Sequence, residues 1–232
     1  MRVFLEYHLI CMDMSPLIIS LKTAACSMVL TFFLGLLAAY GVVALPSRRL
    51  KLLADCVFTL PLVLPPTVAG FFLLCLFGVN GPVGAALLEW FAVKIAFSWG
   101  ATVLAAVVIS FPLMYRAARG ALEQVDVQLI HAARLLGMRE WAVFFSVRLP
   151  CALPGIAAGT VLAAARALGE FGATAMIAGN IAGRTRTLPL AIYAETAAGD
   201  IGAAGRYVLV IVLVSFMVVA LLNFFSTRKD WP

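Results

Sequence analysis

Five long apolar runs, at about 16–45, 56–77, 95–115, 155–178 and 207–225, alternate with polar or turn-rich stretches along this chain. A membrane-crossing helix takes about 20 apolar residues, the scale of each run. Lipid offers backbone groups no hydrogen-bond partners. Membrane β-barrels show alternating strands of ~10 residues, not unbroken apolar runs, so the runs predict helices. The second run holds Pro61, Pro65 and Pro66 and cannot be one uninterrupted helix. Gly78-Val-Asn-Gly-Pro82 predicts a turn before a short segment through Trp90. In the polar stretch 116–150, Leu122, Val125, Leu129, Ala132 or Ala133, and Leu136 recur at intervals of three and four, one helical face. Gly137 suits the position just past a helix end. A second short helix is expected from near Arg139, carrying Trp141, Phe144 and Phe145, with Pro150 and Pro154 marking entry to the fourth run.

Composition sharpens this. Of 232 residues, 64% are hydrophobic and 12% charged, and the mean hydropathy is +1.06. A soluble domain is nearer half apolar and a quarter charged. The expectation is one membrane domain over 1–232, all-α, with five spans, or six if residues 1–15 form a partial one. The formal charge of +6 reads as topology rather than nucleic-acid binding. With five spans, one side collects Arg48, Arg49, Lys51, the arginines of 116–150, Arg228 and Lys229. The other collects Arg2, Lys94, Arg184, Arg186 and Arg206. The richer side is expected to be cytoplasmic, which puts 116–150 and the C-terminus inside. The five cysteines lack a Cys-x-x-Cys spacing and read as small buried hydrophobes. The N-terminal stretch carries no well-formed signal peptide, and Met12 and Met14 are alternative starts.

Few residues offer chemistry. Arg166 and Glu170 lie four apart in the fourth run, on one helical face. A charge at the centre of an inserted helix costs about 2.5–3.5 kcal/mol. Either the two form a packing salt bridge, or Glu170 holds Arg166 beside the path of an anion. Gly155-Ile-Ala-Ala-Gly159 and the small residues after it let neighbouring helices approach closely. The break at Pro65 is either a simple kink or the wall of a cavity. Lys22 is expected to snorkel to the headgroups. In Gly183-Arg-Thr-Arg-Thr-Leu-Pro189, composition favours an ordinary solvated loop, while Arg186 and its neighbours also suit a tetrahedral oxyanion. There is no Gly-x-x-x-x-Gly-Lys-Ser/Thr loop, catalytic triad or metal-ligand cluster, and His8 and His131 are the only histidines.

The segment His131-Ala-Ala-Arg-Leu-Leu-Gly137, then nine residues, then Val147-Arg-Leu149-Pro150 resembles the EAA loop of ABC-transporter permeases. His131 replaces the usual Glu, which removes the acid from which family members form ion pairs, and Val147 replaces the frequent Ile. Composition alone would allow an amphipathic hairpin lying on the membrane. Six further segments carry the resemblance to the molybdate permeases of the sulfate/molybdate branch: Ser20-Leu-Lys22, Leu60-Pro-Leu-Val-Leu-Pro-Pro66, Phe97-Ser-Trp99, Ser110-Phe-Pro-Leu-Met114, Leu168-Gly-Glu-Phe-Gly-Ala-Thr174 and Arg184-Thr-Arg-Thr-Leu-Pro189.

The resemblance implies a type I ABC importer permease in a bacterial inner membrane. It would be a homodimer with two ATPase subunits docked on residues about 120–150. An extracytoplasmic binding protein would deliver an oxyanion. This chain would bind no cofactor, and ATP-Mg would sit in the ATPase. Coupling is expected from His131, Ala132, Ala133, Gly137, Trp141, Leu149 and Pro150, and pathway roles from Arg166, Glu170, Pro65 and Arg186. Sulfate, thiosulfate or tungstate are alternative substrates. An ion-coupled secondary transporter would need no ATPase dock and usually shows repeated halves with paired interrupted helices; no repeat is evident. An intramembrane enzyme would need a reactive pair beyond Arg166 and Glu170.

Overall fold

Proline or glycine marks most of the helix ends. The computed structural model describes residues 13–227, and its regular elements there are all helical. They are α1 (Ser15–Ala44), α2 (Arg48–Val63), α3 (Pro66–Phe77), α4 (Pro82–Phe91), α5 (Trp99–Glu123), α6 (Val127–Leu135) and α7 (Glu140–Val143). A π-helical turn (Phe144–Arg148) leads into α8 (Leu149–Leu168), followed by α9 (Gly172–Ala178), α10 (Leu188–Ala197) and α11 (Ile201–Thr227). Arg2, His8, Cys11, Arg228, Lys229 and most of the partial span considered at 1–15 lie outside the described residues.

Four helices among those described are long and apolar enough to cross a membrane, and the bent pair α2–α3 makes at most a fifth. α2 and α3 meet at 111°. Leu64 and Pro65 are extended, as expected before a proline, and Pro66 starts α3 with the one residue type whose missing N–H costs nothing there. Pro112 leaves α5 unbroken, and α5 runs to Glu123 rather than ending near Tyr115. The second short helix expected near Arg139 is instead the start of the fourth span: Glu140–Leu168 is one helix of 29 residues. Its backbone widens to a π turn just before Pro150, which has no N–H to donate.

α1, α5 and α8 form the central seam. On α1 the buried ridge is Thr23, Ser27, Thr31, Gly35 and Ala39, every fourth residue and all small. Thr23 bonds Thr102 at 2.9 Å, Thr31 bonds Ser110 at 3.0 Å, and the Trp99 indole donates to Thr23 at 3.0 Å. The Gly-x-x-x-Gly of α8 lies against a matching Ala117/Ala121 ridge of α5. A Cβ on Gly159 would sit 2.4 Å from Ala117 Cβ, and one on Gly155 2.7 Å from Ala121 Cβ. The sequence expectation of close approach is therefore met. The cysteines depart from theirs: among the described residues Cys56, Cys75 and Cys151 are exposed and only Cys26 is partly covered. Lys22 places its ammonium 4.2 Å from the centre of the Trp99 ring, so its charge is shared with an aromatic face.

A network that the sequence reading missed ties α2 to α5. Arg119 pairs with Asp55 and with Glu123, and the Tyr115 hydroxyl donates to Asp55. At the opposite end, Ser20 accepts from the Leu188 N–H at 2.7 Å and the Tyr207 hydroxyl donates to the Asp13 carbonyl at 3.1 Å. This gathers the starts of α1, α10 and α11. Asp13 accepts from both the N–H and the hydroxyl of Ser15, which holds its carboxyl below the usual range.

Candidate functional site

Two features stand at opposite ends of the 29-residue helix. The first is the projecting loop. α5 ends at Gln124, and Asp126 opens a new helix by accepting from Gln128 N–H at 2.8 Å. That break resets the helical phase. The stripe expected from Leu122 to Leu136 therefore does not continue: Leu122, Val125, Ile130 and Ala133 turn into the core, whereas Leu129, Ala132 and Leu136 face outward. Gly137 takes φ +78°, with nothing near the position of a Cβ. Arg134 grips Glu140 across this elbow with two bonds of 2.7 and 3.0 Å. Those hydrogen bonds, with the carboxylate charge second, raise the guanidinium pKa above its ordinary value.

Leu135 and Leu136 at the loop tip are 89% and 83% exposed, and Trp141 beside them 63%. Of the predicted coupling residues, His131, Ala132, Gly137, Trp141 and Pro150 face outward; Ala133 is buried and Leu149 packs on the core. Leu135 was not singled out in the sequence. Its run with Leu136 just before a glycine was the available signal.

The second feature is a crossing of two broken helices. α8 stops at Gly169, and Glu170 is 3% exposed. One carboxylate oxygen accepts from Arg166 at 2.9 Å and the other from the Ala173 N–H at the start of α9 at 2.8 Å. The pair is thus real but spans a break, and the fourth run is not one helix to Ala178. α9 packs on α3 without room for side chains: a Cβ on Gly70 would meet Ala173 Cα at 2.6 Å, and one on Gly172 would meet Pro66 Cβ at 3.1 Å. The breaks at Pro65 and Glu170 are brought together in this way. Phe97 closes the far end of α9, donating its N–H to the Ile177 carbonyl at 3.0 Å from a left-handed backbone.

Arg186 belongs to a different cluster, bonded to Asn180 at 2.9 Å and 3.8 Å from Glu195. The hydroxyl of Thr185 is spent on its own turn, accepting from Ile181 and donating to Gly179, and Thr187 is buried. The arginine–hydroxyl pairing considered for an oxyanion is not assembled, and Arg184 is the one side chain of this Arg-Thr-Arg-Thr segment that stands fully outward. Among the described residues no group of three His, Cys, Asp or Glu side chains could hold a metal ion.

One 29-residue helix thus joins the exposed apolar tip to the crossing of broken helices. The chain belongs to the family of binding-protein-dependent transport system inner membrane components, matched over residues 31–230. Within that family it is similar to the molybdenum transport system permease protein ModB of Escherichia coli (strain K12), with 47% identity over 87% of this chain and 88% of that one. The corresponding protein of Haemophilus influenzae is 46% identical over 78% and 79% of the two chains. A structure of the MetNI methionine ABC transporter in an inward-facing conformation matches with a TM-score of 0.73 at 16% identity, covering 92% of this chain and 94% of that one. The shared fold is that of a type I ABC importer permease.

Proposed function

We propose that this chain is the membrane-spanning subunit of an ATP-driven molybdate importer. The observation that carries the substrate is the 47% identity to the E. coli molybdenum permease across nearly the whole chain. In this reading two copies form the core, and each receives one of two ATPase subunits on the loop around Leu135, Leu136 and Trp141. An extracytoplasmic binding protein hands the oxyanion to the opposite face. ATP-Mg is held by the ATPase subunits. The C-terminus and the loop lie on the cytoplasmic side, which the basic residues of 116–150 support.

The geometry supports a mechanical route. The helix from Glu140 to Leu168 is roughly 43 Å long at 1.5 Å per residue. A tilt imposed at Trp141 therefore reaches Arg166 and Glu170 at its other end. Glu170 also holds the first turn of α9, which is locked to α3. The motion passes to the Pro65 break as one unit. Arg166 lines the route and attracts the dianion, with Glu170 fixing its orientation. Arg186 acts at the outer mouth.

The test is reconstitution with the neighbouring ATPase and binding protein in proteoliposomes, measuring uptake of labelled molybdate. Uptake that needs ATP and persists in excess sulfate is the expected result. Uptake abolished by sulfate moves the chain to the sulfate branch, and uptake indifferent to ATP defeats the reading.

A further inference from the structure

We infer that a cavity at the loop end of α1 holds the phosphate of an anionic phospholipid. It measures about 310 Å³, and its walls include Tyr40 and Ala44 of α1, Arg134 of α6, and Glu140, Phe144 and Arg148 of the loop–span junction. Both walls are ends of membrane-length helices, Ser15–Ala44 and Glu140–Leu168. On the proposed reading of a membrane-spanning subunit, the cavity sits where these span ends meet the projecting loop, beside the headgroups. The Tyr40 and Phe144 rings pack with centroids 4.4 Å apart, the aromatic pairing expected at a membrane interface.

Charge selects the ligand. Two guanidiniums face one carboxylate, and Arg134 already occupies both oxygens of Glu140. Arg148 is left over. It lines the cavity and forms no salt bridge among the described residues, its charge reaching Glu140 only at a distance. A guanidinium fork matches a phosphate in both geometry and charge. Lys51 reinforces the field from α2, donating to the Val43 carbonyl at 3.0 Å beside the cavity. Basic pockets between spans are where anionic headgroups bind.

The lipid, rather than a free anion, is favoured by what leads away from the cavity. Phe33, Leu37 and Tyr40 recur at helical spacing on the exposed side of α1. They form an apolar track along which acyl chains lie while the phosphodiester enters the cavity.

The full chain, reconstituted in phosphatidylcholine bilayers with a minor share of phosphatidylglycerol and then extracted, is weighed by native mass spectrometry. One phosphatidylglycerol per chain is expected, enriched about fivefold over its bilayer share, the equivalent of one well-placed basic residue. Arg148→Gln removes the enrichment. Arg148→Lys keeps part of it, and Arg49→Gln, on the exposed start of α2, keeps all. Equal enrichment in wild type and Arg148→Gln overturns the site. Equal loss in Arg49→Gln reduces it to general surface charge and overturns it too. Displacement of the lipid by excess inorganic phosphate makes it a free-anion site and overturns the lipid assignment.

Discussion

At the loop tip, Leu135 and Leu136 stand almost bare, while Ile130, Ala133 and Met138 on either side of them pack on the core and the exposed Arg134–Glu140 bridge spans the elbow. In the seam, Gly155 and Gly159 leave no space for a methyl group, and the hydroxyls of Thr31 and Ser110 satisfy each other. The loop keeps large apolar groups outside, and the seam keeps small polar groups inside. Each inverts the usual rule for a soluble protein, for different reasons. Between helices in lipid, hydrophobicity gives no preference, so close van der Waals approach and internal hydrogen bonds decide packing. A large apolar tip left exposed on a charged loop marks a surface that a partner or a membrane covers, and the proposed function assigns it to a partner.

The sharpest way to break this comparison is Leu135→Asp combined with Leu136→Asp. Burying a Leu side chain is worth about 1.5–3 kcal/mol, and the proposed docking buries both, so ATPase association measured by surface plasmon resonance is expected to weaken more than about 100-fold. The thermal midpoint of the chain alone should move by less than about 1 °C, because surface changes away from packing cost little. A large loss of stability would mean the tip is core.

Gly159→Leu attacks the other region. Overpacking costs about 3 kcal/mol, a fall of about 10 °C in midpoint for a chain of this size by differential scanning fluorimetry. Folded protein that survives should still bind the ATPase normally.

Arg166→Ala probes the far end of the lever. It strands a buried carboxylate, and about 3 kcal/mol of stability should be lost. Adding Glu170→Gln should restore most of it, because the amide oxygen still accepts from Ala173. If Arg166 serves the pathway, this double variant folds yet does not take up molybdate. Normal uptake by it would make the pair purely structural. The smallest effect is expected from Thr31→Val, near the ~0.6 kcal/mol average for one interhelical hydrogen bond in a membrane protein. It should be resolved only as a shift of about 2 °C or less.

The long spans were legible because their signal is length and apolarity, which survive without knowledge of neighbours. The break between α2 and α3 was legible too: Leu64, standing before Pro65 and Pro66, has little choice of backbone. The end of α8 at Gly169 was not, since Gly169 and Gly172 sit in an apolar run whose small residues fit a continuous helix equally well. Asp126 explains the misplaced stripe. Its capping role breaks the helix in mid-pattern, and periodicity read across the break gives Leu129 and Leu136 the wrong face. Asp55 and Arg119 lie 64 positions apart, and nothing local announces that α2 folds back onto α5. The residues expected to couple were read as a pattern, but which of them point outward, with Ala133 turned in, and that Leu135 joins them at the surface, follows only from the fold.

The most direct test of the central claim is photocrosslinking from Leu136, replaced by a benzophenone amino acid, in membranes containing the chain and its ATPase. The same probe replacing buried Ile130 is the control. The account predicts an adduct of the chain with the ATPase from position 136 and none from 130. Adducts from 136 confined to lipid, or equal yields at both positions, would contradict it.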